Sequence, residues 1–133
     1  MKILPTLATW VTILVWTAMA VWLGFWPDEL LSAFGVHEYP PPIRTEIRAF
    51  YGGVQLAIAT LMLIYWIRRD LFTSLLIGGL PLGLSALGRI VGMAWDGFSL
   101  LHLILAILEF SGILFCFLGI RILLKTNCPA KLG

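Results

Sequence analysis

The chain has 133 residues, of which 60% are hydrophobic and 12% charged, whereas soluble domains are about 45–50% hydrophobic and about 25% charged. Too few polar side chains remain to cover a soluble fold, so the composition predicts a single integral-membrane domain over residues 1–133. The net charge of +2 indicates no nucleic-acid partner. Two cysteines and two histidines are too few for a zinc site, and we expect neither a metal nor a cofactor.

Four apolar segments are long enough to cross a bilayer as helices, which takes about 20 residues. They are residues 4–26, 46–67, 71–95 and 98–124. Their continuous hydrophobicity, without alternation, argues against a β-barrel and predicts an all-α fold, a transmembrane four-helix bundle. The first segment also resembles a secretory signal, with small residues at Ala18 and Ala20. Because its apolar run continues to Trp26, we expect an uncleaved first helix.

The link between the first two spans is long enough to hold structure of its own. Pro27 suits the first position of a helix, and Asp28 and Glu29 suit the positive end of the helix dipole. These residues predict a short amphipathic helix at the membrane interface, ending near Gly35. The prolines at 40–42 predict a stiff, extended Pro-rich loop that leads into the second span.

Charged residues divide between the two sides of the predicted bundle. One side carries the basic residues Lys2, Arg68, Arg69, Arg121, Lys125 and Lys131, joined there by Asp70. The other side carries Asp28, Glu29, Glu38, Glu46 and Asp96, with Arg44 and Arg48. Because basic residues concentrate on the cytoplasmic side, we expect a multi-pass protein of the bacterial inner membrane with both termini in the cytoplasm.

Two charged residues fall inside the predicted spans, where insertion of a charge costs about 2.5–3.5 kcal/mol. At about 1.5 Å per residue, Arg89 lies about 10 Å below the outer surface and Glu109 about 16 Å below it. The third and fourth spans are joined by a short turn and are therefore neighbours. We predict that Arg89 and Glu109 form an ion pair.

Helical spacing directs further polar residues to the outer half of the bundle. Asp96 follows Arg89 by seven residues, and His102 precedes Glu109 by seven, so each pair shares a helix face. Ser85 lies beside Arg89 on that face. The second span contributes the candidate ligand-binding residues Glu46, Arg48, Tyr51 and Gln55. These groups either fix the helix register as structural ion pairs or line a site that opens to the outer side, and we favour the second interpretation.

In that interpretation the site binds a membrane lipid or another hydrophobic small molecule, lipidic or isoprenoid-like. Glu109, with Asp96 or His102 as relay and Arg89 as electrostatic partner, would transfer a proton in an isomerisation or cyclisation, and binding without catalysis stays open. A different interpretation is a non-catalytic accessory subunit that docks on a membrane-protein partner through the glycine-rich face of the third span. A small transporter, built as a homo-oligomer, ranks last because no inverted repeat is visible.

Several short motifs resemble a known family. They are the segments EIRAFYGG at 46–53 and GRIVG at 88–92, the pair Asp96-Gly97, and Glu109. Together they resemble a bacterial family of small four-helix membrane proteins known only as a domain of unknown function, similar in layout to the DoxX-like group. The resemblance implies the same fold and the same polar positions, and it implies no activity.

Overall fold

The computed structural model of the chain describes residues 3–127, which form helices joined by short connections and, within that range, contain no β-strand. The helices are α1 (Ile3–Phe25), α2 (Pro27–Ala33), α3 (Pro42–Ile47), α4 (Gln55–Ile67), α5 (Leu71–Asp96) and α6 (Leu100–Asn127). A π-helical stretch, the π segment (Arg48–Val54), connects α3 to α4. Lys2 and Lys131, which enter the sequence argument on orientation, and Cys128 lie outside the described residues.

Four helical segments are long and apolar enough to cross a membrane, which confirms the predicted all-α, four-span protein. They are Ile3–Phe25, Pro42–Ile67, Leu71–Asp96 and Leu100–Thr126. Successive spans run in opposite directions: short turns join the second span to the third and the third to the fourth, and the first two spans bring Gly24 beside Gly52 at one end and Trp10 beside Trp66 at the other. We call the end of the bundle at the α4–α5 turn the inner end and the end at the α5–α6 turn the outer end, after the predicted orientation.

The second span begins earlier than the sequence suggested. Pro41 already has α-helical backbone angles, and Pro42 occupies the first turn of α3. The first turn of a helix tolerates proline because its N–H groups need no partner within the helix. The predicted extended loop over the prolines at 40–42 is therefore wrong for Pro41 and Pro42. Residues 36–40 form the irregular part of the link.

Helix α1 holds the bundle together, since it contacts the π segment, α4, α5 and α6. Helices α5 and α6 form the most extensive pair, and α4 also packs on α5. Asp70 caps the start of α5, where its Oδ1 accepts a hydrogen bond of 3.0 Å from the Thr73 N–H. Gly97, with φ +106°, makes the turn into α6 in a backbone conformation that favours glycine.

The tightest packing lies in the inner and middle parts of the bundle. Its two buried clusters are Ala8, Leu75, Cys116, Ile120 and Leu123, and Ile13, Trp16, Ala59 and Met62. Glycines on α5 permit this packing. A Cβ at Gly78 would lie 2.4 Å from Met62 Sδ and 2.8 Å from Thr12 Cγ2, and one at Gly79 would lie 2.9 Å from Cys116 Cβ. Such small residues let helix backbones approach closely in lipid.

Buried polar groups in this region bond between helices. The Ser74 hydroxyl donates to the Met62 carbonyl at 2.9 Å, and the Trp16 indole donates to the Gly78 carbonyl at 3.1 Å. A bilayer offers no water to satisfy such groups, so these bonds fix the position of α5 against α4 and α1. The inner part of the bundle is thus a closed structural core.

Candidate functional site

The predicted ion pair between the third and fourth spans is present. Arg89 Nε lies 2.9 Å from Glu109 Oε2, and the Ser85 hydroxyl donates to Glu109 Oε1 at 2.8 Å. Ser85 and Arg89 are one helical turn apart on α5, so both reach the carboxylate on α6. The pair is partly accessible, since the side chains are 22% exposed for Arg89 and 17% for Glu109.

His102 extends the pair toward the outer end. Its Nδ1 lies 3.2 Å from Arg89 Nη1, and because a guanidinium can only donate, Nδ1 is the acceptor. The imidazole is therefore assigned as the neutral tautomer with its proton on Nε2. Arg89 thus bonds at once to Glu109 and His102, which lie two turns apart on one face of α6.

An aromatic ring from the link between the first two spans covers His102. The Phe34 and His102 rings stack with centroids 5.1 Å apart and an interplanar angle of 18°. The amphipathic helix predicted to end near Gly35 includes this position, but the sequence did not predict the contact. The one local feature that accompanies this contact is Gly35, which turns the chain after Phe34 with a φ of +76°.

One polar cluster joins the two ends of the same link. Asp28 Oδ1 accepts hydrogen bonds from Arg44 Nε, at 2.8 Å, and from the Tyr39 hydroxyl. The Tyr39 hydrogen bond, aided by Arg44, holds the pKa of Asp28 below its usual value. The Arg44 guanidinium also lies 5.5 Å from the centroid of the Tyr39 ring. This cluster joins α2 to α3 and so helps to fix the link that carries Phe34.

The second-span candidates do not join the Arg89 cluster. Arg48 Nε donates to the Gly24 carbonyl at 3.2 Å, and a Cβ at Gly52 would lie 3.2 Å from Gly24 Cα. This face of the second span is therefore turned to α1. Glu46 and Tyr51 are exposed. Within residues 3–127, no hydrogen bond or ion pair connects any of the four candidates to Arg89 or Glu109.

The π segment explains part of this difference. Its turns are wider than those of an α-helix, so a spacing of seven residues no longer places Gln55 on the face of Arg48. Gln55 Oε1 is buried and has no hydrogen-bond partner among the described residues. Asp96 also lies apart from Glu109: it is exposed at the end of α5, and its carboxylate forms no hydrogen bond within the described part of the chain.

The packing against α5 changes along its length, from tight near Gly78 to open near Gly88 and Gly92. At Gly78 one face of the helix is filled by Met62 and Thr12. Ser85 and Arg89 follow Gly78 by about two and three turns on the same face, yet a Cβ at Gly88 would meet no atom within 4 Å and one at Gly92 only Asp96 of its own helix. Since the π segment packs on α1 without substantial contact to α5 among the described residues, the second span leaves the surface of α5 beside Arg89 open toward the outer end.

An apolar groove lies at the inner end of the bundle. It has a volume of about 350 Å³ and is lined by Ile3, Leu4, Leu7 and Ile122. None of the polar residues predicted to bind a ligand lines this groove. The region that combines polar groups with an open surface is the one beside Arg89, Glu109 and His102, which we call the outer cleft.

A comparison with known protein families identifies the family of the chain. The family model described as Domain of unknown function (DUF4345) matches residues 5–123. The chain belongs to this family. The DUF4345 match includes the Arg89–Glu109 pair, His102 and Phe34, and agrees with the resemblance to a small four-helix family of unknown function. No match to the chain was found among curated proteins or among solved structures. The geometry of the outer cleft therefore carries the functional argument.

Proposed function

We propose that this DUF4345 protein binds a lipidic or isoprenoid-like molecule in the cleft at the outer end of its bundle. The observation that carries the proposal is the partial exposure of the Arg89–Glu109–His102 cluster on a face of α5 that is closed two to three turns further inward. We further propose that the protein lies in a bacterial inner membrane with both termini in the cytoplasm, and that it shares its layout with the DoxX-like group.

The free space beside the cluster favours binding over a purely structural pair. A structural pair needs partners and tight packing, such as the packing around Gly78 and Gly79. The positions of Gly88 and Gly92 lack that packing, although they flank Arg89. Intramembrane ionisable residues that remain accessible are typical of ligand or ion sites.

The proposed ligand has its polar head at Arg89 and His102 and its tail between the spans, toward lipid. Phe34 covers the head through its stack on His102. Glu46 and Tyr51, which are exposed at the outer end, are candidates for the opposite wall. Arg48 donates to the Gly24 carbonyl, so its role is to hold that wall against α1. The buried Gln55 Oε1, which has no hydrogen-bond partner among the described residues, stays a candidate for a contact with the ligand.

Proton transfer by Glu109, with Asp96 and His102 as relay, is the less supported part of the proposal. Glu109 bonds to Ser85 and Arg89, whereas Asp96 forms no hydrogen bond among the described residues. A proton relay needs donors and acceptors within hydrogen-bond reach, directly or through one water. Binding is therefore the function that the geometry supports best, and isomerisation or cyclisation stays a prediction.

A second candidate function is an accessory subunit. The observation in its favour is the unoccupied stripe of Gly88 and Gly92 on α5, since two small residues four apart suit the close approach of another membrane helix. A partner helix in that position would cover the cleft. Under this alternative the Arg89–Glu109 pair is structural and the purified protein retains a protein partner in fixed ratio instead of a lipid.

Native mass spectrometry of protein extracted in mild detergent tests the proposal. We expect a lipid-sized adduct on the wild type, lost in Arg89→Met and weakened in Ser85→Ala. Two matched controls, Arg121→Met and Ser111→Ala, change exposed residues on α6 away from the cleft and should retain the adduct. Burial of the Cys116 thiol, tested with a thiol reagent, shows that each variant is folded. Folded wild-type protein without an adduct would contradict the proposal.

A further inference from the structure

The cluster of Arg89, Glu109 and His102 carries no net charge. Arg89 and Glu109 form a contact pair at 2.9 Å, and His102 is neutral because its Nδ1 accepts a hydrogen bond from Arg89. Among the described residues, no other ion pair reaches this part of the bundle. A charged ligand head placed here would lose its hydration without gaining a counterion, which is costly in a medium of low dielectric constant.

The cluster has more free hydrogen-bond donors than free acceptors. Arg89 uses Nε for Glu109 and Nη1 for His102, which leaves the N–H groups of Nη2 without an acceptor among the described residues. His102 has a further donor in its Nε2–H. Both oxygens of Glu109 already accept a bond, from Ser85 and Arg89. The cluster therefore offers free donors and needs acceptor oxygens, which hydrocarbon cannot supply.

We infer that the ligand of this site is an uncharged amphiphile whose head is an acceptor oxygen, a hydroxyl or a carbonyl, on a hydrocarbon tail. This inference rests on the proposed function and names its substrate class. The head accepts hydrogen bonds from Arg89 and His102, so it takes the place that water would hold in an open cleft. Phe34, stacked on the ring of His102, closes the apolar side of the head. At the cluster itself, an anionic head such as a phosphate or a cationic head such as an amine would meet no net opposite charge.

Three probes with the same tail and different heads test the inference: geranylgeraniol, geranylgeranyl phosphate and geranylgeranylamine. The full chain is titrated with each in mild detergent, and dissociation constants are measured by native mass spectrometry. We expect the alcohol to bind at least about tenfold more tightly than the phosphate or the amine, since a charged head would lose its hydration at the cluster without gaining a counterion.

Two variants make the test specific to the cluster. Glu109→Gln keeps an acceptor for Ser85 but leaves Arg89 with an uncompensated charge, so the preference should reverse in favour of the phosphate. His102→Phe keeps an aromatic ring against Phe34 but removes the donor, so the affinity for the alcohol should fall by about tenfold. The control Ser111→Ala, whose hydroxyl bonds to the Leu108 carbonyl of its own helix, should change none of the three values.

The possible outcomes separate the inference from the proposed function. Tighter or equal binding of the phosphate or the amine to the wild type would overturn the uncharged class while leaving a ligand site in place. Failure of Glu109→Gln to shift the preference toward the phosphate would overturn the argument from cancelled charge. Binding of none of the probes to folded wild-type protein, with no native adduct, would overturn the proposed function and this inference with it.

Discussion

Removal of the Arg89 guanidinium should destabilise the protein more than removal of both members of the ion pair. Arg89→Met keeps the unbranched stem of the side chain but takes away the charge. Glu109 then keeps only its hydrogen bond from Ser85, and its carboxylate remains between two helices without a counterion. Adding Glu109→Gln removes that carboxylate while leaving an acceptor for the Ser85 hydroxyl.

The expected magnitude follows from the partial burial of the pair. Loss of one partner of a fully buried pair costs about 3–5 kcal/mol. Because Arg89 is 22% and Glu109 17% exposed, the pair is not fully buried in the protein, and we expect a smaller cost for Arg89→Met, about 2–3 kcal/mol. The double variant loses a paired interaction but strands no charge, so we expect a cost of about 1 kcal/mol.

The free energy of unfolding can be followed through Cys116, whose side chain is buried in the α5–α6 contact. A thiol-reactive fluorophore labels it only after the helices separate, and the change Cys128→Ser removes the second thiol of the sequence. Titration of mixed micelles with dodecyl sulfate then gives the stability of each variant. The exposed Arg121→Met is the matched control, with an expected change below about 0.5 kcal/mol. Equal losses in the single and double variants would refute the pairing argument.

Three further predictions concern topology, packing and pH. An impermeant thiol reagent should label Cys128 only after cells are permeabilised, and labelling of intact cells would reverse the predicted orientation. Gly78→Ala should cost about 1–3 kcal/mol by overpacking, whereas Gly88→Ala, which meets open space, should be neutral in the same unfolding assay; equal costs would refute the described packing of α5. The Thr73 hydrogen bonds hold the pKa of Asp70 below its usual value of 3.8. Its stabilising contribution, about 1 kcal/mol for such a cap, is therefore present at neutral pH and lost as the pH falls through the lowered folded-state pKa. The variant Asp70→Asn should lose this acid dependence of the unfolding free energy. An unchanged acid profile in that variant would argue against the cap.

The spans and the ion pair were predictable because they depend on local quantities. Apolar length identifies a membrane helix regardless of its neighbours. Once the turn at Asp96-Gly97 makes α5 and α6 adjacent, depth counted along each helix brings Arg89 to Glu109. Ser85 could be placed on the correct face by the same count, although its bond to Glu109 could not be assigned without the angle between the helices.

The π segment and the Phe34 contact were not predictable by these means. The π segment accompanies the close approach of Gly52 to Gly24. These glycines lie far apart in the sequence, and no periodicity reveals their contact. Helical spacing assumes α-helical turns, so it also misplaced Gln55 relative to Arg48. The position of Phe34 depends on the path of an irregular link, and a link has no repeat from which a direction can be read.

An experimental structure of the protein purified with its native lipids would test the central claim most directly. The proposed function predicts non-protein density in the cleft between the π segment and α5, with its polar end within hydrogen-bond distance of Arg89 and His102 and its tail running toward lipid. A cleft closed by side chains of the second span, with no density beside the Arg89–Glu109 pair, would contradict the claim and make the pair a structural element of the bundle.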